Sequence, residues 1–465
     1  MHHSSCSGPP TRRSFLQAGS LLLGGLGLAD LLRLRANANR GQQLDTAVIL
    51  LWLEGGPSHL ETYDMKPAAP REYRGEFQPI ATAVGGMEVC ELLPRHCKLA
   101  DRISIIRSIT HRVPDHPGAA GRFLTGRTPR NISATVSEYP TFDTIVGSIR
   151  EDLSHSGIPQ FVSNKAALKG GGTAYLGSTA APFVIDVLPS HIAQLPIGPD
   201  FDRFDPNFSV ANLAVHEQVM QRLDQRTALL NAFDRFRGQV DINPQIEASD
   251  RFQQRAVQLL SSPATRNAFD LDRESTALRA RYGNNTLGQS ALLARRLVEA
   301  GCGMITLDWG RVSRKFPTWD DHGDAQHIFQ AMKSRLPVYD QAITALIDDL
   351  AERGMDKRVL VIATGEFGRT PKVNMGRAKT PLWPGRDHWP GAMSVLVAGG
   401  GWNMGQVIGK TNQKGEYPAD RTLDPNDLVA SVYRFLGINP EATLLDHRGR
   451  PHPLLPSGKV IAELS

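Results

Sequence analysis

The stretch PTWDDHGDAQH, residues 317–327, places three carboxylates and two imidazoles within eleven residues, four of them between Asp320 and Asp324. A segment built for packing has no use for so many ionisable groups together. It is either a solvated, charged loop or part of a metal site. Further acids and histidines stand in comparable positions elsewhere: Glu54 in WLEGG, Glu366 in ATGEFGRT and the pair Asp387-His388 in GRDHWPG. Together with Asp320, Asp321, His322 and His327 they amount to an oxygen- and nitrogen-donor set for one or two divalent ions, with zinc, calcium, magnesium and manganese all compatible. Two such ions would clamp an anionic ester and activate a water or hydroxyl nucleophile. Each residue also has a plainer use. Glu54 could cap a helix after the glycines, Glu366 could pair with Arg369, His388 could pack beside Trp389, and His327 could lie on a solvated helix face.

The elements that would bring these residues together are strands. TAVILLWLEGG carries an unbroken apolar run from Ala47 to Leu53, as expected for a strand buried on both faces of a parallel sheet. RISIIRSITH (102–111), GMITLDWG (303–310), RVLVIATGEFGRT (358–370) and MSVLVAGGG (393–401) repeat the pattern, and most stop at polar or glycine-rich residues. Ligands of open α/β sheets gather where strands end, which directs attention to Glu54, Glu366 and their neighbours. Between about 208 and 300 the apolar spacing turns helical, predicting an insertion that ends with LGQSALLARRLVEAG. Residues 131–207, rich in proline and glycine, are expected to be irregular cover over the site. DPNDLVASVYRFLGI opens with Asp-Pro and closes at glycine, predicting a well-capped helix.

Composition sets the bounds. The chain has 465 residues, 41% hydrophobic and 21% charged, the balance of a globular protein. Its formal charge of +5 falls to +2 without residues 1–38, and no dense Lys/Arg stripe follows, which argues against a nucleic-acid partner. TRRSFLQAG has the twin-arginine pattern, followed by a weakly apolar, glycine-rich run and the small-x-small tripeptide Ala36-Asn37-Ala38. The expected organisation is a signal peptide over 1–38 and one α/β domain over 39–465, periplasmic or secreted, touching the membrane only during export. Cys6 lies in the leader. Cys90, Cys97 and Cys302 supply neither a disulfide framework nor a CxxC zinc pattern, so a metal would have to be held by oxygen and imidazole; Cys90 and Cys97 are either a pair or ordinary thiols.

WLEGGPSHLETYDMKP, RSITHRVPDHPGAAGRFLTGRTP, WDDHG, ATGEFGRTPKVN and GRDHWPGAMSVLVAGGG occur in the order found in a family of exported bacterial proteins grouped as domain of unknown function 1501. The resemblance runs from about residue 45 to 455. That family is a remote relative of the alkaline phosphatase and sulfatase superfamily, which implies an alkaline-phosphatase-like, largely parallel central sheet between helices and a two-metal site. By the same resemblance Glu54 holds the place of the first-strand metal ligand. Glu366 takes the Asp place of an Asp-His pair, with Phe367 where His is usual. His388 matches a late histidine ligand, and WDDHG the Asp/His segment of the other metal position. HPGAAGRFLTGRTP resembles the sulfatase nucleophile segment, but aligning LTG puts His116 where Ser, Thr or Cys is usual. His116 is then a nucleophile, a general acid or a ligand, with Ser58 and Thr110 as nearby hydroxyls, and Arg122, Arg127 and Arg369 could grip an anion.

The expected function is therefore an exported, metal-dependent hydrolase of a phosphate or sulfate ester, with polysaccharide esters among the candidate substrates. His116, Arg122 and Arg369 would form its catalytic set, and Glu54, Asp320, Asp321, His322, Glu366 and His388 its metal set. The alternative is a cell-envelope binding protein that keeps the fold, and a structural metal, without catalysis.

Overall fold

The computed structural model describes residues 45–151, 157–185, 262–310, 318–324, 326–376, 382–446 and 448–465. The twin-arginine leader and the greater part of the helical insertion lie outside the described residues. Eight strands form the main sheet: β1 (Ala47–Trp52), β2 (Ile103–Ile109), β3 (Phe161–Ser163), β4 (Phe183–Val184), β5 (Met304–Asp308), β6 (Val359–Thr364), β7 (Met393–Gly399) and β8 (Gln406–Ile408). Their spatial order is β8-β2-β7-β6-β1-β5-β3-β4. Every pairing is parallel except those of β7, which runs against both β2 and β6. The fold is thus an α/β sheet of mostly parallel strands between helices.

The apolar runs of the sequence explain the two layers. Successive side chains of a strand point to opposite faces, so the continuous run of β1 feeds two cores. Ala47, Ile49 and Leu51 join one with α3 (Thr286–Glu299) and α4 (Ile328–Glu352); Val48, Leu50 and Trp52 join the other with α1 (His116–Thr125), α2 (Phe142–Glu151) and α5 (Pro425–Phe435). Helix α5 begins as its sequence predicts: Asp424 caps the Asn426 amide, Asp427 reaches back to the Asp424 amide, and Pro425 occupies the first turn. Helix α4 starts at Ile328 with His327 as its cap residue, so His327 stands ahead of the helix rather than on its face. The described part of 131–207 is more regular than the expected irregular cover, since it contributes α2, the edge strand β4 and its neighbour β3.

The reversal of β7 positions the site. The carboxyl ends of β1, β2, β5 and β6 lie at one edge of the sheet. Because β7 runs the other way, its amino end, and the segment 384–392 leading into it, arrive at that same edge. There His388–Trp389 pairs with Gly368–Arg369 in a two-residue ribbon, His388 opposite Arg369. At the end of β1, Gly55 and Gly56 take positive φ (112° and 78°). A Cβ on Gly55 would lie 2.6 Å from the Asp320 amide nitrogen, and one on Gly56 2.5 Å from the Phe367 ring. The double glycine allows the loops after β5 and β6 to close over the end of β1. Gly55→Ala is expected to lower the unfolding free energy by about 1–3 kcal/mol from backbone strain alone, more if the Asp320 loop is displaced. Denaturant titration of the variant against the parent chain measures it.

Candidate metal centre

Four side chains from three elements meet at this edge: His116, the first residue of α1; Asp320 and His322, in the loop after β5; and His388, on the ribbon before β7. One donor atom from each lies within 4.8 Å of every other. Asp320 is at the centre. His322 Nε2 is 2.7 Å from Asp320 Oδ1, His388 Nε2 is 3.2 Å from the same oxygen, and His116 Nε2 is 3.2 Å from Oδ2. The Nε2 atoms of His322 and His388 are 2.9 Å apart.

The other ring nitrogens fix what these Nε2 atoms are. His116 Nδ1 donates to Glu366 Oε1 at 2.5 Å, His322 Nδ1 to Asp387 Oδ1 at 2.8 Å, and His388 Nδ1 to the Pro114 carbonyl at 2.6 Å. A carboxylate or carbonyl can only accept, so each Nδ1 carries its hydrogen and each neutral ring presents an Nε2 lone pair. Three lone pairs and a carboxylate therefore converge on one small volume. His116 Nε2 is buried, and in the neutral ring it has no hydrogen to give Asp320 Oδ2, 3.2 Å away; it can bond that oxygen only when the ring is protonated. This donor set fits a divalent ion, and the three Nδ1 acceptors are the outer-sphere partners that orient metal-ligating histidines.

Without an ion, protons offset the charge. Burial acts against charging the His116 ring, but hydrogen bonds to Asp320 and Glu366 outweigh it and lift the pKa to about 9. The hydrogen bond to Asp320 likewise raises His322, against burial. Burial lowers His388, aided by the charge of Arg369 and opposed by Asp320. Burial would raise Asp320, yet the three imidazoles and Arg369 hold it far below the usual carboxylate range.

The remaining candidates have other partners. Glu366 stands behind His116 rather than in the cluster; its Oε1 also accepts from the Gly55 amide at 2.9 Å. Arg369 is fully buried, donating to Asp320 Oδ1 at 2.6 Å and to the carbonyls of Gly55 and Gly56. Asp321, adjacent to the central carboxylate, points the other way. It is fully buried against the Arg335 guanidinium, at 2.5 and 2.6 Å, and does not reach the cluster. Glu54 accepts from Lys165 Nζ at 2.8 Å, and the same ammonium contacts Asp308. Arg122 holds Asp424 and Asn426 at the start of α5, and Arg127 donates to the Pro453 carbonyl. Ser58 is buried and donates to Glu61, and Thr110 donates to Pro390, so neither hydroxyl joins the four. Phe367 walls the site, its ring centroid 5.1 Å from that of His116 and 4.6 Å from that of His388.

Sequence reasoning about strand ends alone missed Asp387 and the Pro114 carbonyl as partners of the histidines. The dipeptide Asp387-His388 carried one signal, an acid beside a ligand candidate, though it serves His322 instead. Nothing in the sequence announced Pro114 or the Lys165 bridge.

His111 lies under the site and donates from Nε2 to the Glu366 carbonyl at 2.6 Å, while its Nδ1 accepts from the Val113 amide. Burial drives its pKa down from 6.5 to about 4. The unfolded chain then binds a proton that the folded chain does not, so stability is retained above pH 6.5 and lost as pH falls toward 4, by about 3 kcal/mol for this one group. His111→Gln should flatten that part of the stability–pH curve. A curve of unchanged slope over that interval would rule the effect out.

The model of a family described as "Protein of unknown function (DUF1501)" matches residues 45–465. No curated protein matches the chain. Among solved structures, the PsFucS1 sulfatase from Pseudoalteromonas sp. is similar at 13% identity, covering 92% of this chain and 72% of its own, with a TM-score of 0.37. The C-terminal periplasmic domain of EcEptC from Escherichia coli, in complex with Zn, matches at 10% identity, with 90% and 96% covered and a TM-score of 0.34. The phosphonate monoester hydrolase SpPMH from Silicibacter pomeroyi matches at 11% identity, with 85% and 73% covered and a TM-score of 0.31. No helix among the described residues is long and apolar enough to cross a membrane.

Proposed function

We propose that this chain, which belongs to the DUF1501 family, is an exported metal-dependent hydrolase of a phosphate or sulfate ester, its metal held by His116, Asp320, His322 and His388. The observation that carries the reading is the convergence of three Nε2 lone pairs on the Asp320 carboxylate, each ring locked from behind by an acceptor. Such a constellation is electrostatically unfavourable unless a cation or protons occupy it. When bound, a divalent ion supplies Lewis-acid polarisation of an ester oxygen. The chain's own part is to hold that chemistry still. Glu366 and Asp387 set the tautomers of His116 and His322, Arg369 fixes the Asp320 carboxylate, and Phe367 keeps water from one wall. Asp320, His322 and His388 have side chains 30%, 27% and 20% exposed, so one side of the cluster faces solvent, where an anionic ester can approach. Export by the twin-arginine route accords with a metal acquired before the folded protein leaves the cell. The ester specificity rests on the motif resemblance to the alkaline phosphatase and sulfatase superfamily.

A second reading, a non-catalytic envelope protein with a structural metal, is favoured by one specific observation. Four protein donors complete a tetrahedral zinc shell, whereas catalytic zinc sites keep a position open. His116, at the place of the superfamily nucleophile, is one of the four.

Metal analysis combined with turnover of aryl phosphate and aryl sulfate esters separates these readings. The hydrolase reading expects bound metal and turnover in the parent chain, both lost in His322→Ala. Asp387→Asn should retain the fold and weaken metal affinity about 10–100-fold, as outer-sphere substitutions typically do. Metal with no turnover on either ester class would select the structural reading.

A further inference from the structure

We infer that the centre is mononuclear and nitrogen-rich, selecting a zinc-type ion over calcium or magnesium, and that the Lys165 ammonium supplies the positive charge at the neighbouring strand ends where a second ion would otherwise be held. The inference rests on reading the His–Asp cluster as a metal centre, and it differs from the two-metal site that the superfamily resemblance implies.

Donor chemistry decides the ion type. Three imidazole nitrogens and one carboxylate are a borderline-soft set, suited to zinc and its first-row neighbours; calcium and magnesium take shells of oxygen. The rings cannot be turned over to offer Nδ1, because Glu366, Asp387 and the Pro114 carbonyl each engage it.

The number of ions follows from the acids that remain. Among the described residues, the four-residue cluster is the one group of three or more potential donors close enough to share an ion. Of the other acids near this edge, Asp321 is matched by Arg335, Glu61 by Arg386, and Glu54 and Asp308 by Lys165, while Glu366 and Asp387 accept from the Nδ1 atoms of His116 and His322. Glu54 and Asp308 belong to neighbouring strand ends, since Trp52 at the end of β1 is in register with Asp308 at the end of β5. Two carboxylates so placed are the start of a cation site, and Lys165, from the loop after β3, puts its ammonium between them. The Asp308 position is itself fixed, by the Gly310 amide on Oδ1 at 2.7 Å and by Asn164, which pairs with its backbone.

Charge in the cluster's immediate surroundings agrees. Asp320, Glu366 and Asp387 are negative and Arg369 is positive, a net of −2 that one divalent ion cancels.

The test is elemental analysis of the full mature chain after equilibration with zinc, with manganese and with calcium, followed by gel filtration. The expected result is one zinc per chain, lost in His322→Ala, with calcium not retained. In excess manganese, Lys165→Met is expected to carry two ions where the parent carries one, and the added Glu54→Gln substitution returns the count to one. Two ions in the parent chain, retention of calcium, or a count of one in folded Lys165→Met would each overturn the inference while leaving the metal centre standing. No ion in the parent chain would remove both. One zinc without ester turnover would sink the hydrolase reading and leave this inference intact.

Discussion

Three imidazole lone pairs and a carboxylate gathered within 4.8 Å of one another repel unless something positive lies among them, and much of the local architecture can be understood as the means of keeping them there. Each ring is held from behind by an acceptor on a different segment. Glu366 follows β6, Asp387 precedes β7, and the Pro114 carbonyl precedes α1. A histidine on a flexible loop would turn away; these cannot without abandoning a hydrogen bond, which for His116 and His322 is partly buried and costs up to about 1–3 kcal/mol if a group is left unsatisfied. The same repulsion makes the site responsive. Protons can take the cation's place, which is why His116 is so readily charged in the metal-free chain.

The loops that carry the cluster have little regular backbone pairing, so their carbonyls need donors from elsewhere. Three fully buried arginines supply them. Arg335 reaches Thr318, Arg369 reaches Gly55, Gly56 and Arg386, and Arg386 reaches Thr370, Pro371 and Tyr73. Each also neutralises one acid: Asp321, Asp320 and Glu61 respectively. Arginine suits this use because its five donors can serve several carbonyls while its charge stays paired. Of the three, only Arg369 extends from the scaffold into the centre. Its guanidinium therefore belongs to the site's frame, which accounts for a buried arginine where the sequence alone suggests an anion-gripping one.

The five strand candidates were legible because a strand buried on both faces leaves a continuous branched-aliphatic run, and all five appear in the sheet. Asp320, His322 and His388 were legible as candidates because they follow or precede such runs. The direction of β7 was not, since a short apolar run reads the same either way; yet that reversal is what brings His388 to the edge. Asp321 and Asp320 are indistinguishable by type and spacing, and only the position of Arg335, on α4, separates a packed ion pair from a central carboxylate. Glu54 stands where the superfamily pattern implies a ligand, but its partner Lys165 is more than a hundred residues away along the chain. Long-range pairing of this kind has no local sequence signature.

The divergence at His116 has a physical consequence for how the centre can act. A hydroxyl at the start of α1 would be a neutral group able to give up a proton and attack. An imidazole locked at Nδ1 by Glu366 instead offers a fixed lone pair, buried and aimed at Asp320. It can complete a metal shell but cannot advance on a substrate without breaking its hydrogen bond to Glu366. Any reaction here has to be built on the solvent-facing side formed by Asp320, His322 and His388. Covalent attack from the start of α1 is therefore the step that this geometry accommodates least, and the hydrolysis proposed above would fall to water at the exposed side.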